Sequence, residues 1–154
     1  MRTLTIGNNE YIIEFSIEAS LHKECIDTVT GLMTNVAMAK SKADIRALIS
    51  AMSNVPQTAL HMLHAGLLEH QPGLTIEKTK SILKEYMVER KGKEDGNYYS
   101  LMELLLEDMG NDDFFEMIGL DKMFQTNSEE AEEMNEPKKP QDHKKKSSTK
   151  VTEK

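Results

Sequence analysis

The side chains best suited to chemistry lie in the middle of this chain. His61 and His64 are three positions apart, and Glu69 and His70 follow on the same expected helix. Two histidines one helical turn apart can bind a metal ion, and a carboxylate could complete the ligand set. The zinc-protease pattern instead needs histidines at i and i+4 with a glutamate beside the first, and it is absent. Because His64 shares its expected face with leucines, we interpret it as a packed side chain and predict no metal.

The remaining candidates for catalysis are a lone cysteine and a pair of acids. Cys25 falls on an apolar stripe, so we interpret it as a small hydrophobic residue rather than a nucleophile. Asp112 and Asp113 suit either a helix N-cap or a cation site. The sequence contains no glycine-rich phosphate loop, no G-x-S-x-G and no C-x-x-C. We therefore predict that the protein is not an enzyme and needs no cofactor.

Length and charge define the class of protein. The 154 residues allow one modest domain and a tail, and the net charge is −7. Residues 101–136 contain twelve acidic residues and one lysine, whereas residues 137–154 contain seven lysines and two acidic residues. An acidic body repels phosphate backbones, so specific nucleic-acid binding is not expected. One cysteine, no signal-peptide core and no membrane-length apolar run together predict a cytoplasmic protein.

The elements predicted to position these residues are a β-hairpin and about five helices. Residues 4–6 and 11–15 are β-prone runs around a turn at residues 7–10, and we expect Ile6 to pair with Tyr11 or Ile13. The prediction is a mainly α (α+β) fold, with the N-terminal β-hairpin packed on the helices. Residues 1–124 form this domain, and residues 125–154 are expected to be a disordered, acidic then basic tail.

Apolar residues at helical spacing predict the five helices. The first has Leu21, Cys25, Val29 and Leu32 on one face, with Ser16 or Ser20 as N-cap, and residues 34–42 are expected to be a weak connector or a frayed helix end. The second helix ends at residues 53–56, and Pro56 opens the third. The fourth begins after Thr75, and the fifth runs from about Tyr98 to Met109 before Gly110. The second helix is marked by four residues, Ile45, Leu48, Ile49 and Met52.

The fifth helix and the segment after it are the predicted partner-binding region. The helix is apolar around more than half its circumference, and three of the four phenylalanines lie in residues 114–124. This segment either covers the helical core or leaves an exposed patch for a partner. The predicted partner-binding residues are Leu101, Leu105, Phe114, Phe115, Met117, Ile118 and Phe124.

The order of these features resembles the tail assembly chaperones of long-tailed bacteriophages and prophages, which are encoded between the major tail protein and the tape measure protein. The resemblance covers residues 1–124. It rests on the opening hairpin, on the leucine-rich stretch 60–72 and on the helix that begins at residues 74–79. The segment 114–124, which contains three phenylalanines, and the charged tail also fit the features of this family. Residues 34–44 depart from the pattern as a featureless insertion.

The resemblance implies a protein that binds and solubilises the tape measure protein and helps recruit the major tail (tube) protein. It would act in the bacterial cytoplasm and be absent from the finished virion. Relatives often also make a frameshifted longer form, and the lysine runs 138–139 and 144–146 are where we expect such a site. Two other classes stay open: a small cytosolic adaptor or regulatory protein that binds one protein partner, and a metal-dependent enzyme built on His61, His64 and Glu69.

Overall fold

The computed structural model describes residues 1–42 and 45–120, with the side chains of residues 1–40 and 45–120. The predicted tail, residues 125–154, lies outside the described residues, as does Phe124. The predicted mainly helical fold with an N-terminal hairpin is confirmed. Its elements are β1 Arg2–Ile6, β2 Asn9–Ile13, α1 Ile17–Ser20, α2 Lys23–Lys42, α3 Ile45–Leu68, α4 Ile76–Glu89, α5 Tyr98–Asn111 and α6 Phe114–Met117.

The hairpin has a tighter turn and a different register from the prediction. Ile6 pairs with Asn9, and Leu4 pairs with Tyr11, so the expected pairing of Ile6 with Tyr11 or Ile13 is wrong. The reason is a two-residue loop, in which Gly7 supplies the positive φ (58°) that such loops need. Leu4, Ile6 and Ile13 are buried, so the hairpin turns one apolar face toward the helices.

The first two long helices differ from their predicted limits. α2 continues to Lys42, so residues 34–42 are the end of this helix and not a connector. Leu21 precedes α2 and is 73% exposed, so it does not belong to the apolar face that buries Cys25, Val29 and Leu32. His22 instead occupies the turn before α2, where it accepts a hydrogen bond from the backbone N–H of Cys25.

The predicted second and third helices form the single helix α3. Pro56 lies inside it, where the sequence had suggested a break. A proline removes one intrahelical donor, which frees the carbonyl of Met52 four residues earlier. Because Pro56 and Met52 are both exposed, water can satisfy that carbonyl, and the helix continues.

The C-terminal half of α3 is the centre of the core. Leu63 and Leu67 have no exposed surface, and this half packs against α5, α4 and the hairpin. Strand β2 approaches α3 closely at Gly66, whose carbonyl accepts a 2.8 Å hydrogen bond from the N–H of Glu14. A Cβ at Gly66 would lie 2.7 Å from Cγ2 of Ile13, so a larger residue would disrupt this contact.

Side-chain caps determine where α4 and α5 begin. Thr75 Oγ1 accepts from the N–H of Lys78, which confirms the predicted start of α4. Asn97 Oδ1 accepts from the N–H of Ser100 at the start of α5. At the far end of α5, buried Asp108 accepts from Nε of Arg2, which ties β1 to this helix.

Candidate protein-binding surface

A row of large apolar side chains lies exposed along the N-terminal half of α3. Ile45, Leu48, Ile49 and Met52 are 71%, 47%, 59% and 64% exposed. Their i, i+3, i+4 and i+7 spacing places all four on one face of the helix. We call these four residues the α3 stripe.

A second apolar face on the same half-helix explains why the stripe is exposed. Ala47, Ala51 and Val55 are buried at four-residue spacing, and this half of α3 packs against α2. Alanines let two helices approach closely, so α2 covers the small side chains and leaves the larger ones outside. Among the described residues, no helix or strand covers the α3 stripe.

The sequence predicts that these four residues mark a separate second helix. They mark a helical face correctly, but that face is not the one that packs. The signal that could have shown this is the i, i+4 repeat of Ala47, Ala51 and Val55 beside a row of larger residues. A half-helix with two apolar faces can bury only one of them against a single neighbour.

The predicted partner-binding residues fall into two groups. Leu101, Leu105 and Phe114 have no exposed surface, and the ring of Phe114 packs edge-on against Phe15 at 5.7 Å. A partner cannot contact these three side chains while the domain remains folded. Their place in the predicted surface is therefore corrected to the core, because the apolar circumference of α5 is covered by α3 and α6.

The second group retains some accessible surface. Met117 is 45% exposed, while Phe115 and Ile118 are half-buried against the core. Phe115 packs against Phe114 with 6.1 Å between ring centroids. These three residues form a small apolar patch after α5, and binding through them stays a prediction. Phe124 lies outside the described residues.

His61 and His64 lie beside a third imidazole, that of His22, which the sequence did not predict. The ring of His22 lies 5.0 Å from that of His64 and 5.9 Å from that of His61. Glu69 and His70, the other candidate ligands, are engaged elsewhere. Glu69 accepts from Ser16 Oγ, and His70 pairs with Glu14. We call His22, His61 and His64 the histidine cluster.

The hydrogen bonds of the histidine cluster favour packing over metal binding. Nδ1 of His22 already accepts from Cys25, and Nδ1 of His64 lies 2.8 Å from Oγ1 of Thr79. Thr79 Oγ1 also lies 3.2 Å from the carbonyl of Thr75, so its hydroxyl has a second acceptor when His64 donates to it. A metal bound through Nδ1 of His22 would break the cap of α2. The described residues contain no group of three ligands arranged to hold a metal ion.

Burial makes two members of the histidine cluster, His61 and His64, harder to protonate. It lowers the pKa of His61 and of His64 below the usual value of 6.5, and the neighbouring imidazoles lower both further. Nδ1 of His61 is buried without a hydrogen-bond partner among the described residues. The neutral forms of His61 and His64 are therefore the ones that match this packing.

The other two candidates for catalysis have structural roles. Burial raises the pKa of the Cys25 thiol to about 12, so it carries no thiolate at neutral pH. Asp113 occupies the N-cap position of α6, but its side chain makes no cap hydrogen bond. Burial alone would raise the pKa of Asp112, but hydrogen bonds from the N-terminal ammonium and the N–H of Phe15 outweigh it, so the pKa is lowered.

No helix in the described ranges, 1–42 and 45–120, is long and apolar enough to cross a membrane. Comparisons of the chain with protein-family models, with curated proteins and with solved structures gave no match.

Proposed function

We propose that this protein is a tail assembly chaperone that binds and solubilises the tape measure protein and helps recruit tail tube subunits. The observation that carries the binding part of this proposal is the exposed α3 stripe. Four large apolar side chains in a row are an uncommon surface for a protein of this size and charge. The identity of the client comes from the resemblance of residues 1–124 to that family.

The chemistry of the α3 stripe suits an amphipathic helical client. Apolar residues at i, i+3, i+4 and i+7 present a ridge that can pack along a second helix. Covering a large aliphatic side chain completely contributes about 1.5–3 kcal/mol, and these four are already partly covered. Because association itself costs at least about 4 kcal/mol, the stripe alone supports only weak binding. Binding of that strength can be released when tube subunits take over the client.

The acidic body supports a chaperone role in a second way. The net charge of −7 keeps copies of the protein, and complexes that share its charge, apart in solution. An apolar client segment bound to the α3 stripe would thus be attached to an acidic domain, and the negative charges would keep such complexes from aggregating. Recruitment of tail tube subunits, and any frameshifted longer form that performs it, follow from the resemblance alone.

The alternative is a small adaptor or regulatory protein that binds one protein partner through the same stripe. The exposed apolar face supports both possibilities equally. They differ in the client: an adaptor would bind one defined partner and would leave the tape measure protein insoluble.

Co-expression with the tape measure protein of the same phage or prophage tests the proposal. The test variant is the double substitution Ile49→Asp/Met52→Asp, which places two charges on the α3 stripe. The matched control is Ser50→Asp/Asn54→Asp, which adds two negative charges to other exposed positions of the same half-helix. All three proteins should fold, because none of these side chains is buried.

We expect the wild type and the control to keep the tape measure protein in the soluble fraction, and the stripe variant to lose it. A tape measure protein that stays insoluble with the wild type would contradict the chaperone function. One that stays soluble with the folded stripe variant would contradict the assignment of the surface. The same assay with Phe115→Ala tests whether the patch after α5 contributes.

A further inference from the structure

A groove between α3 and α4 continues the α3 stripe toward the body of the domain. Its apolar lining comes from both helices and from the first residue of α5: Pro56, Leu60, Leu83, Met87, Val88 and Tyr98. Leu60 and Leu83 are buried at its floor, whereas Val88 is 66% exposed and Tyr98 is 39% exposed at its edge. We call this the α3–α4 groove.

The stripe and the groove form one continuous apolar track. Ile45, Ile49, Met52, Pro56 and Leu60 follow each other along α3 at spacings of three or four residues. This spacing places all five side chains on one side of the helix. The track is about 22 Å long at 1.5 Å per residue, the length of a helix of about 15 residues.

Three lysines border the groove. Lys80, Lys84 and Lys91 all line it and are all exposed, and no aspartate or glutamate lines it. None of the three forms an ion pair within the described part of the chain. A groove lined by three lysines and no carboxylate contrasts with the net charge of −7 of the whole chain.

We propose that the α3–α4 groove and the α3 stripe together bind an acidic amphipathic helix of a partner protein. The apolar face of that helix would pack on the track, and carboxylates beside it would meet Lys80, Lys84 and Lys91. This inference rests on the proposed function and deepens it, because it specifies the chemistry of the client segment. Charge at the border of an apolar interface selects the partner and its orientation more than it adds affinity.

The lysine border disfavours a second copy of this chain as the occupant. Two copies packed groove to groove would bring their lysines together, and like charges held close across an interface are repulsive. The chain's own residues 129–136 share the acidic chemistry, with five glutamates and no lysine. They are therefore the competing occupant that an experiment must distinguish.

Fluorescence anisotropy with the purified full-length chain tests the proposal. The probe is a labelled synthetic helix of about 15 residues, with leucines at i, i+3, i+4 and i+7 and glutamates at the flanking positions. A second probe has lysines in place of the glutamates. The test variant is Lys80→Glu/Lys84→Glu, and the control is Lys78→Glu, an exposed position of α4 that does not line the groove.

We expect the acidic probe to bind the wild type and Lys78→Glu, and to bind Lys80→Glu/Lys84→Glu roughly tenfold or more weakly. Added salt should weaken binding of the acidic probe. Equal binding of both probes, or no loss in the double variant, would overturn the proposal. So would sedimentation that shows a dimer together with no probe binding.

Neutralising the competing segment separates the two acidic occupants. The variant Glu129→Gln/Glu130→Gln/Glu132→Gln/Glu133→Gln/Glu136→Gln should bind the acidic probe within about twofold of the wild type if the groove serves a partner. Binding that tightens roughly tenfold or more would show that the chain fills its own groove, and would overturn the assignment to a partner. If Lys80→Glu/Lys84→Glu keeps the tape measure protein soluble, the groove assignment fails while the chaperone function stands.

Discussion

The two halves of α3 have similar apolar content but opposite surroundings. From residue 58 to residue 67 nearly every side chain is buried, including Thr58 and His64. From residue 45 to residue 55 only Ala47, Ala51 and Val55 are buried, and the larger side chains are exposed. The number of neighbours accounts for the difference. Among the described residues, the C-terminal half contacts the hairpin at Gly66 and α4 through His64 and Thr79, whereas no helix or strand covers the large side chains of the N-terminal half.

This comparison shows that apolar spacing identifies helical faces without determining which of them is buried. The same i, i+3, i+4 pattern describes a core residue such as Leu63 and a surface residue such as Ile49. A face becomes core only if the rest of the chain supplies an element to cover it. The N-terminal half of α3 therefore keeps an exposed apolar face, while the C-terminal half stabilises the domain.

Truncating one side chain in each half of α3 should give the largest difference in the free energy of unfolding. Leu63→Ala removes a fully buried side chain and should lower the free energy of unfolding by about 2–5 kcal/mol. Ile49→Ala removes a side chain that is 59% exposed and should change it by no more than about 0.5 kcal/mol. Urea unfolding of both variants measures these changes. Equal losses would mean that the two halves of α3 do not differ as described.

Replacing a glycine by alanine at a packed and at an open position should give a smaller difference in the free energy of unfolding. At Gly66 a new Cβ would meet Ile13 at 2.7 Å and Phe15 at 3.2 Å, so Gly66→Ala should destabilise by about 1–3 kcal/mol. Gly31, in the middle of α2, has no atom within 4 Å of a new Cβ. Gly31→Ala should therefore stabilise by about 0.5–1 kcal/mol, through helix propensity alone. Thermal unfolding of the pair measures both, and a stable Gly66→Ala variant would contradict the close approach of β2.

The smallest change in stability should come from lowering the pH, and it should arise from the buried C-terminal half of α3. The pKa of His61 and of His64 is lowered in the folded protein, so the unfolded chain binds more protons. Stability should therefore be full above pH 6.5 and should fall as the pH decreases below it. The groups facing the two rings are His22, Glu24, Glu77 and Lys80; the carboxylates oppose the decrease in pKa without reversing it.

Urea unfolding at pH 7.5 and pH 5.0 measures this loss. His64→Gln should lose less stability between the two pH values than the wild type, because one buried imidazole is gone. A wild type that is equally stable at both values would contradict the described packing of the histidine cluster. Asp112 does not interfere, because its pKa is lowered from 3.8 on folding, so its contribution to stability is present at both pH values and is lost only at lower pH.

Local signals were sufficient to predict much of the fold. Thr75 before an apolar period located the start of α4, and the change from strand to helix spacing after Phe15 identified the hairpin. The errors came from long-range packing. Pro56 suggested a break, but a proline on an exposed face does not end a helix whose other face is held by neighbours. No local pattern could show that Gly66 is the position where β2 approaches α3.

The candidate surface was harder to predict than the fold. Leu101, Leu105 and Phe114 looked available because a helix that is apolar on most sides needs either a core or a partner. The fold covers them with its own elements. His22 joined His61 and His64 only through the turn before α2, which sequence spacing does not reveal. Burial depends on which elements meet, and the sequence alone left that open.

Thiol labelling measures the central claim, that the N-terminal half of α3 is a free surface that a client covers. Met52→Cys introduces an exposed thiol, while native Cys25 is buried and should stay unreactive in the folded protein. Ser50→Cys is the control on another face of the same half-helix. We predict rapid alkylation of both in the isolated protein and selective protection of Met52→Cys by the tape measure protein. Slow alkylation of Met52→Cys in the isolated protein, or equal alkylation with and without the client, would contradict the account.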